Sequence, residues 1–132
     1  MEMVIVGSIG YDDIQTPEES GSGILGGAAS HSGLAASFHM RPPPGHPPRI
    51  GIVSAVGEDF STYHQMVLED SGLNLAGVVI GDGDTFRWSG KYEESMERVT
   101  TISTELNVLE EFVPTIPAAW SDPGVLFCAN TH

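Results

Sequence analysis

Apolar residues in this chain fall in short, β-branched blocks separated by glycine- and proline-rich breaks. Met3 to Val6, closed by Gly7, is continuously apolar, which predicts a strand buried on both faces rather than a helix. Arg49 to Val56 (RIGIVSAV) predicts a second strand of this kind, and Val125 to Ala129 a third. Small residues from Ala28 to about His39, with Leu34 among them, predict a helix able to lie very close to a sheet. A second helix is expected from Thr62 to Asp70, ending at Ser71-Gly72, where glycine can take the left-handed C-cap conformation. The order strand, helix, strand, helix favours a parallel sheet with crossover helices.

Elsewhere the pattern changes. Tyr11 to Ser22 is polar, with acids and a proline, and Gly21 to Gly27 is glycine-rich. MRPPPGHPP (Met40 to Pro48) excludes helix and central strand, because proline fixes φ and lacks an N–H donor. A surface loop is expected there, with a proline-rich ligand for an SH3-type domain as the alternative. Val78-Val79-Ile80 and Thr85 to Trp88 flank GDGD, a turn sequence suited to a hairpin. Further β-rich segments are read at Arg98 to Ser103 and at Asn107 to Phe112. A small antiparallel set inserted in a parallel frame reads as a flap or lid.

At 132 residues the chain is long enough for one ordinary domain and too short for two. Five basic against eighteen acidic residues give a formal net charge of −13, which disfavours nucleic acid and anionic membrane as partners. Any anionic ligand must draw on Arg41, Arg49, Arg87, Lys91 or Arg98. Cys128 is the single cysteine, so an internal disulfide is excluded, and its apolar run VLFCAN predicts a buried thiol. MEMVIV places an acid before the apolar residues, the wrong order for a secretory leader. No apolar run approaches the ~20 residues of a membrane span. A cytoplasmic location is the expectation.

Candidate chemistry is sparse. Gly21 to Gly26 matches G-x-G-x-x-G, yet the preceding TPEES is no strand and the expected acid falls near the proline loop, against a dinucleotide site. A Walker A loop is absent. His31, His39, His46, His64 and His132 lack paired metal-ligand spacing. Asn107-x-x-Glu110 has the letters of a kinase metal-site motif but falls at the exit of the expected lid, and Glu93, Glu94 and Glu97 read as a solvated face. More informative is Gly26-Gly27 at a helix start, where a ligand can approach backbone N–H groups; a tight turn is the plainer reading. Asp12 and Asp13 lie just past the first strand, where the carboxyl ends of parallel strands commonly form a site. A carboxylate there can accept hydroxyl hydrogen bonds from a polyol.

Four stretches in order, VIVGSIGYDD, LGGAASHSGLAAS, IGIVSAVGEDF and TFRWSGKYEE, resemble the ribokinase (PfkB-type) family of sugar and nucleoside kinases. The resemblance implies an α/β fold, here a truncated ribokinase-like parallel sheet with crossover helices and a small β-sheet lid. Residues 1–132 would form the N-terminal part, with lid segments at about 11–26 and 78–112 and the proline-rich loop at 40–48. It also implies ATP-dependent, Mg²⁺-assisted phosphoryl transfer to a hydroxyl of a sugar or nucleoside. Asp12 would bind substrate hydroxyls, Gly26 and Gly27 would present backbone, and Phe86 and Trp88 would supply an apolar wall. His31 stands where many members have Asn, a departure from ribose-like specificity. The family's G-A-G-D segment and nucleotide-binding region do not occur in these residues, so neither tight ATP binding nor turnover is expected of them. The alternative is a non-catalytic binding or interaction protein, with a homodimer through the lid strands conceivable.

Overall fold

The computed structural model describes residues 1–95 and 97–131; His132 lies outside the described residues. In chain order the elements are β1 (Met3–Val6), β2 (Gly10–Gln15), β3 (Ser20–Gly26), α1 (Ala28–Met40), β4 (Ile50–Val56), α2 (Thr62–Asp70), β5 (Leu73–Ile80), β6 (Phe86–Tyr92), β7 (Val99–Glu105) and β8 (Val125–Cys128). They make two four-stranded sheets. One is parallel, in the order β5-β4-β1-β8; the other has the order β3-β2-β6-β7.

The parallel sheet follows from the apolar blocks. All seven residues of β4 are buried, as expected of a strand covered on both faces. Side chains alternate between two cores. Ile5, Ile50, Ile52 and Val56 pack with Ala29, Leu68 and Leu73 on the helical side. Val4, Val6 and Val53 pack with Trp120 on the other, where Phe112 and Ile116 complete the cover. Helix α1 turns Ala29, Ser30, Gly33 and Ser37 inward, and this all-small face permits its close approach to the sheet.

The helix boundaries have local causes. Ser61 caps α2, its hydroxyl accepting from the N–H groups of Tyr63 and His64, and Gly72 ends it at φ 102°. Helix α1 stops before Pro42, whose ring disfavours helical backbone in the residue preceding it. The proline loop contains a turn, His46 N–H donating to Pro43 O at 3.0 Å, and Arg41 ties it to Asp70 O at 2.7 Å.

Four sequence expectations are corrected. First, Val78-Val79-Ile80 and Thr85 to Trp88 do not form a hairpin. Val78 to Ile80 pair in parallel with Ser54 to Val56, while β6 pairs with β2, so GDGD carries the chain from one sheet to the other. Second, the lid sheet is not wholly antiparallel: the first lid segment forms β2 and β3, an antiparallel pair joined by a turn in which Thr16 N–H donates to Glu19 O, but β6 runs parallel to β2. Third, the Asn107 to Phe112 segment holds a 3₁₀ turn (Asn107–Leu109), not a strand. Asn107 has φ 52°, its side-chain amide donates to Thr85 O, and Leu109 is fully buried. Fourth, Cys128 is exposed, because β8 is an outer strand with all four residues exposed. No helix among the described residues is long and apolar enough to cross a membrane.

Candidate functional site

Successive side chains of a strand leave on opposite faces, so the adjacent acids of β2 meet different surroundings. Asp13 is saturated. Its carboxylate accepts from Ser22 Oγ (2.8 Å), Gly23 N–H (2.8 Å) and Arg87 Nη1 (2.7 and 2.8 Å), with Ser89 Oγ at 3.4 Å. Asp12 accepts no hydrogen bond from the described residues. Its strand partners are Ile24 on β3 and Trp88 on β6.

The glycine pair adjoins Asp12. A Cβ at Gly26 would fall 2.6 Å from the Asp12 carboxyl carbon and 2.7 Å from Oδ1, so only glycine lets that carboxyl settle there. Gly27 has φ 98°, and a Cβ on it would lie 2.5 Å from Ser8 O. Beyond it the first N–H groups of α1 are already used: Ala28 donates to Ser8 Oγ and Ala29 to Ser8 O, both at 2.8 Å. The glycines therefore serve close packing of strand, loop and helix start, with Asp12 as the open acceptor.

The two acids differ electrostatically. Burial pushes the Asp12 carboxyl above its ordinary value; the charge of His31 opposes this and that of Asp13 adds to it. For Asp13, burial also works upward. Hydrogen bonds from Arg87, Gly23 and Ser22, with the Arg87 charge, overcome it and lower the group to about 2. Linkage then gives opposite signs. The contribution of Asp13 to stability is present above 3.8 and is lost as pH falls toward about 2. Asp12 favours the fold in its protonated form, an effect lost as pH rises through its raised value. Acid titration followed by circular dichroism is expected to show the Asp13 loss, and Asp13→Asn should flatten it. An unchanged acid limb in that variant would contradict the assignment.

Of the residues singled out in the sequence, Asp12, Gly26, Gly27 and His31 come together. His31, exposed in the first turn of α1, donates its backbone N–H to Gly27 O at 3.1 Å. Phe86 packs on Gly10, the strand partner of Gly26. Trp88 is in register with Asp12, but its ring lies over Gly90 and its Nε1–H donates to Thr101 Oγ1 at 3.3 Å, directing it toward β7. Sequence reasoning missed a network joining the sheets. Asp59 Oδ1 accepts from Thr85 N–H (2.8 Å) and Oγ1 (2.6 Å), while Tyr11 Oη donates to Asp59 O and accepts from Ser61 N–H. Its traces in the sequence were Asp59, in the glycine–acid turn of the IGIVSAVGEDF stretch, and a threonine directly after GDGD.

The described residues contain no cluster of three or more His, Cys, Asp or Glu that could hold a metal ion. The leading N–H groups of both helices are engaged by Ser8 and Ser61.

No family model and no curated protein matches the sequence. Solved structures do match. A ribokinase from Cryptococcus neoformans var. grubii serotype A, in complex with ADP, superposes with a TM-score of 0.72 at 15% identity, covering 96% of this chain and 40% of that one. The Methanocaldococcus jannaschii nucleoside kinase, an archaeal member of the ribokinase family, gives 0.61 at 18%, covering 97% and 44%. A Burkholderia thailandensis nucleoside kinase in complex with inosine gives 0.61 at 15%, covering 81% and 37%. The chain thus has the fold of the ribokinase-type kinases, as a parallel sheet with crossover helices and a second small sheet. It spans about two fifths of the length of these structures.

Proposed function

We propose that this chain is the substrate-binding part of an ATP-dependent kinase that phosphorylates a hydroxyl of a sugar or nucleoside. The observation that carries this reading is Asp12, a partly buried carboxylate with no hydrogen-bond partner among the described residues, seated over Gly26 while its neighbour Asp13 is fully engaged. A carboxylate is an acceptor with several lone-pair sites, suited to two hydroxyl donors of a polyol. The charge of His31 reaches it, so His31 is a further polar group for the ligand, and Phe86, packed on Gly10, offers an apolar edge. The second sheet acts as a lid that excludes water from the site on closing.

The residues at hand bind and orient; anion stabilisation, base and nucleotide site belong to segments outside them. The 132-residue chain is therefore expected to bind a member of a panel of ribose, fructose, adenosine and inosine, yet to release no ADP above background in a coupled assay with ATP and Mg²⁺. Clear turnover, or failure to bind any of a broader set of sugars and nucleosides, overturns the reading.

One observation favours a second reading, a lid-mediated homodimer. Strand β7 is the outer strand of its sheet and exposes all seven residues, Val99 and Ile102 among them. Sedimentation velocity distinguishes a dimer from a monomer.

A further inference from the structure

The saturated acid has a use beyond its own charge. Opposite Asp13, strand β3 carries two residues, Ser22 and Gly23, between the paired positions Gly21 and Ile24. This is a bulge, a device that bends a strand and re-aims side chains. Gly23 sits at φ 64°, which glycine adopts without penalty. The bulge is held from both sides: Gly23 N–H donates to Asp13, and Gly23 O meets His64 Nε2 of α2 at 3.1 Å. Arg87 then binds both oxygens of Asp13 and lies over the Tyr11 ring, 5.1 Å from its centre. Tyr11 in turn is fixed to Asp59 and Ser61. One residue before Asp13, on the other face of the same strand, stands Asp12.

We propose that Asp13, Arg87 and the Ser22–Gly23 bulge form a clamp that positions Asp12, fixing β2 between β3, β6 and α2 so that the free carboxylate stays over Gly26. Asp13 and Arg87 are positioning residues: they act through the β2 backbone and do not touch the ligand. The inference rests on the reading of Asp12 as the hydroxyl acceptor.

The test is a ¹³C NMR titration of the Asp12 carboxyl in the full 132-residue chain, with Arg87→Met, Arg87→Lys and Asp13→Asn compared. The sign of the change separates two causes. The groups whose charges act on Asp12 are His31 and Asp13. Deleting the Arg87 cation frees the charge of Asp13, and electrostatics alone would move Asp12 further up. Losing its position would release it to water and move it down. The expected result is a fall toward the ordinary 3.8 in Arg87→Met, with partial rescue in Arg87→Lys, which keeps the cation without the guanidinium fork. An unchanged or raised titration overturns the clamp. Should Arg87→Met fail to fold, Arg87→Lys decides the question by the same sign; Asp13→Asn serves only as the reference for removing the Asp13 charge, which lowers Asp12 by itself. Ribose and adenosine affinities measured alongside separate the two readings. A wild-type chain that binds neither, nor any other sugar or nucleoside, defeats the proposed function. One that binds while Asp12 titrates identically in all variants defeats only this inference.

Discussion

Trp120→Ala is expected to destabilise the chain by about 3–5 kcal/mol, the range for truncating a large buried aromatic. One face of the parallel sheet depends on this ring. It is 6% exposed and packs with Val4, Val6 and Val53, while among the described residues no long helix covers that side. Its seat is shaped by glycine: a Cβ at Gly51 would fall 2.6 Å from ring atom Cζ3, and one at Gly77 2.8 Å from the same atom. Net stabilities of domains run to only about 5–15 kcal/mol, so the loss would remove a large share of the total. Thermal and urea melts followed at 222 nm measure it. Gly51→Val should destabilise in the same direction by displacing the ring. A Trp120→Ala chain that melted like the parent would show that the second core does not depend on this side chain.

Asp12→Asn is expected to do the reverse, sparing the fold and removing the binding. Hydrogen bonds to a charged group contribute about 1.5–3 kcal/mol each, so weakening them should cost roughly ten- to hundredfold in affinity for a sugar or nucleoside. Stability at neutral pH should hold or rise, since the variant removes a charge that burial disfavours and to which no described residue donates a hydrogen bond. Asp13→Asn provides the contrast: it strips a cation and a bulge of their partner, and its melting temperature should drop. Calorimetric titration and melts of both variants read the two quantities. Equal loss of stability in the two would contradict the division between a free and a structural acid.

Much of the frame was legible because burial on both faces writes a strand as an unbroken apolar run. β1 and β4 are such runs, and the small residues of α1 announced its close packing; β8 is an apolar run whose four residues are exposed. The second sheet was legible only as lid segments at about 11–26 and 78–112, without the pairing of its strands. β2 and β3 are half-exposed and rich in Asp, Ser and Gly, so no apolar periodicity encodes their pairing or the bonds that Asp13 makes to Ser22 and Gly23 across it. GDGD misled because a good turn sequence says nothing about which strands it joins; the partners of Val78 to Ile80 lie on β4, more than twenty residues earlier in the chain. Cys128 misled because an apolar run signals strand character, whereas burial depends on neighbours. The site was half legible: the residues suggested both acids, the family resemblance favoured Asp12, and the pleat of β2 separates their roles.

The central claim, that Asp12 and the Gly26–Gly27 turn form a hydroxyl-binding site, is tested most directly by amide NMR. Ribose, fructose, adenosine and inosine would be titrated into the ¹⁵N-labelled chain. Saturable shifts concentrated at Asp12, Gly26, Gly27 and His31 are predicted for at least one of them, vanishing in Asp12→Asn. Saturable shifts centred elsewhere, or surviving that substitution, would contradict it.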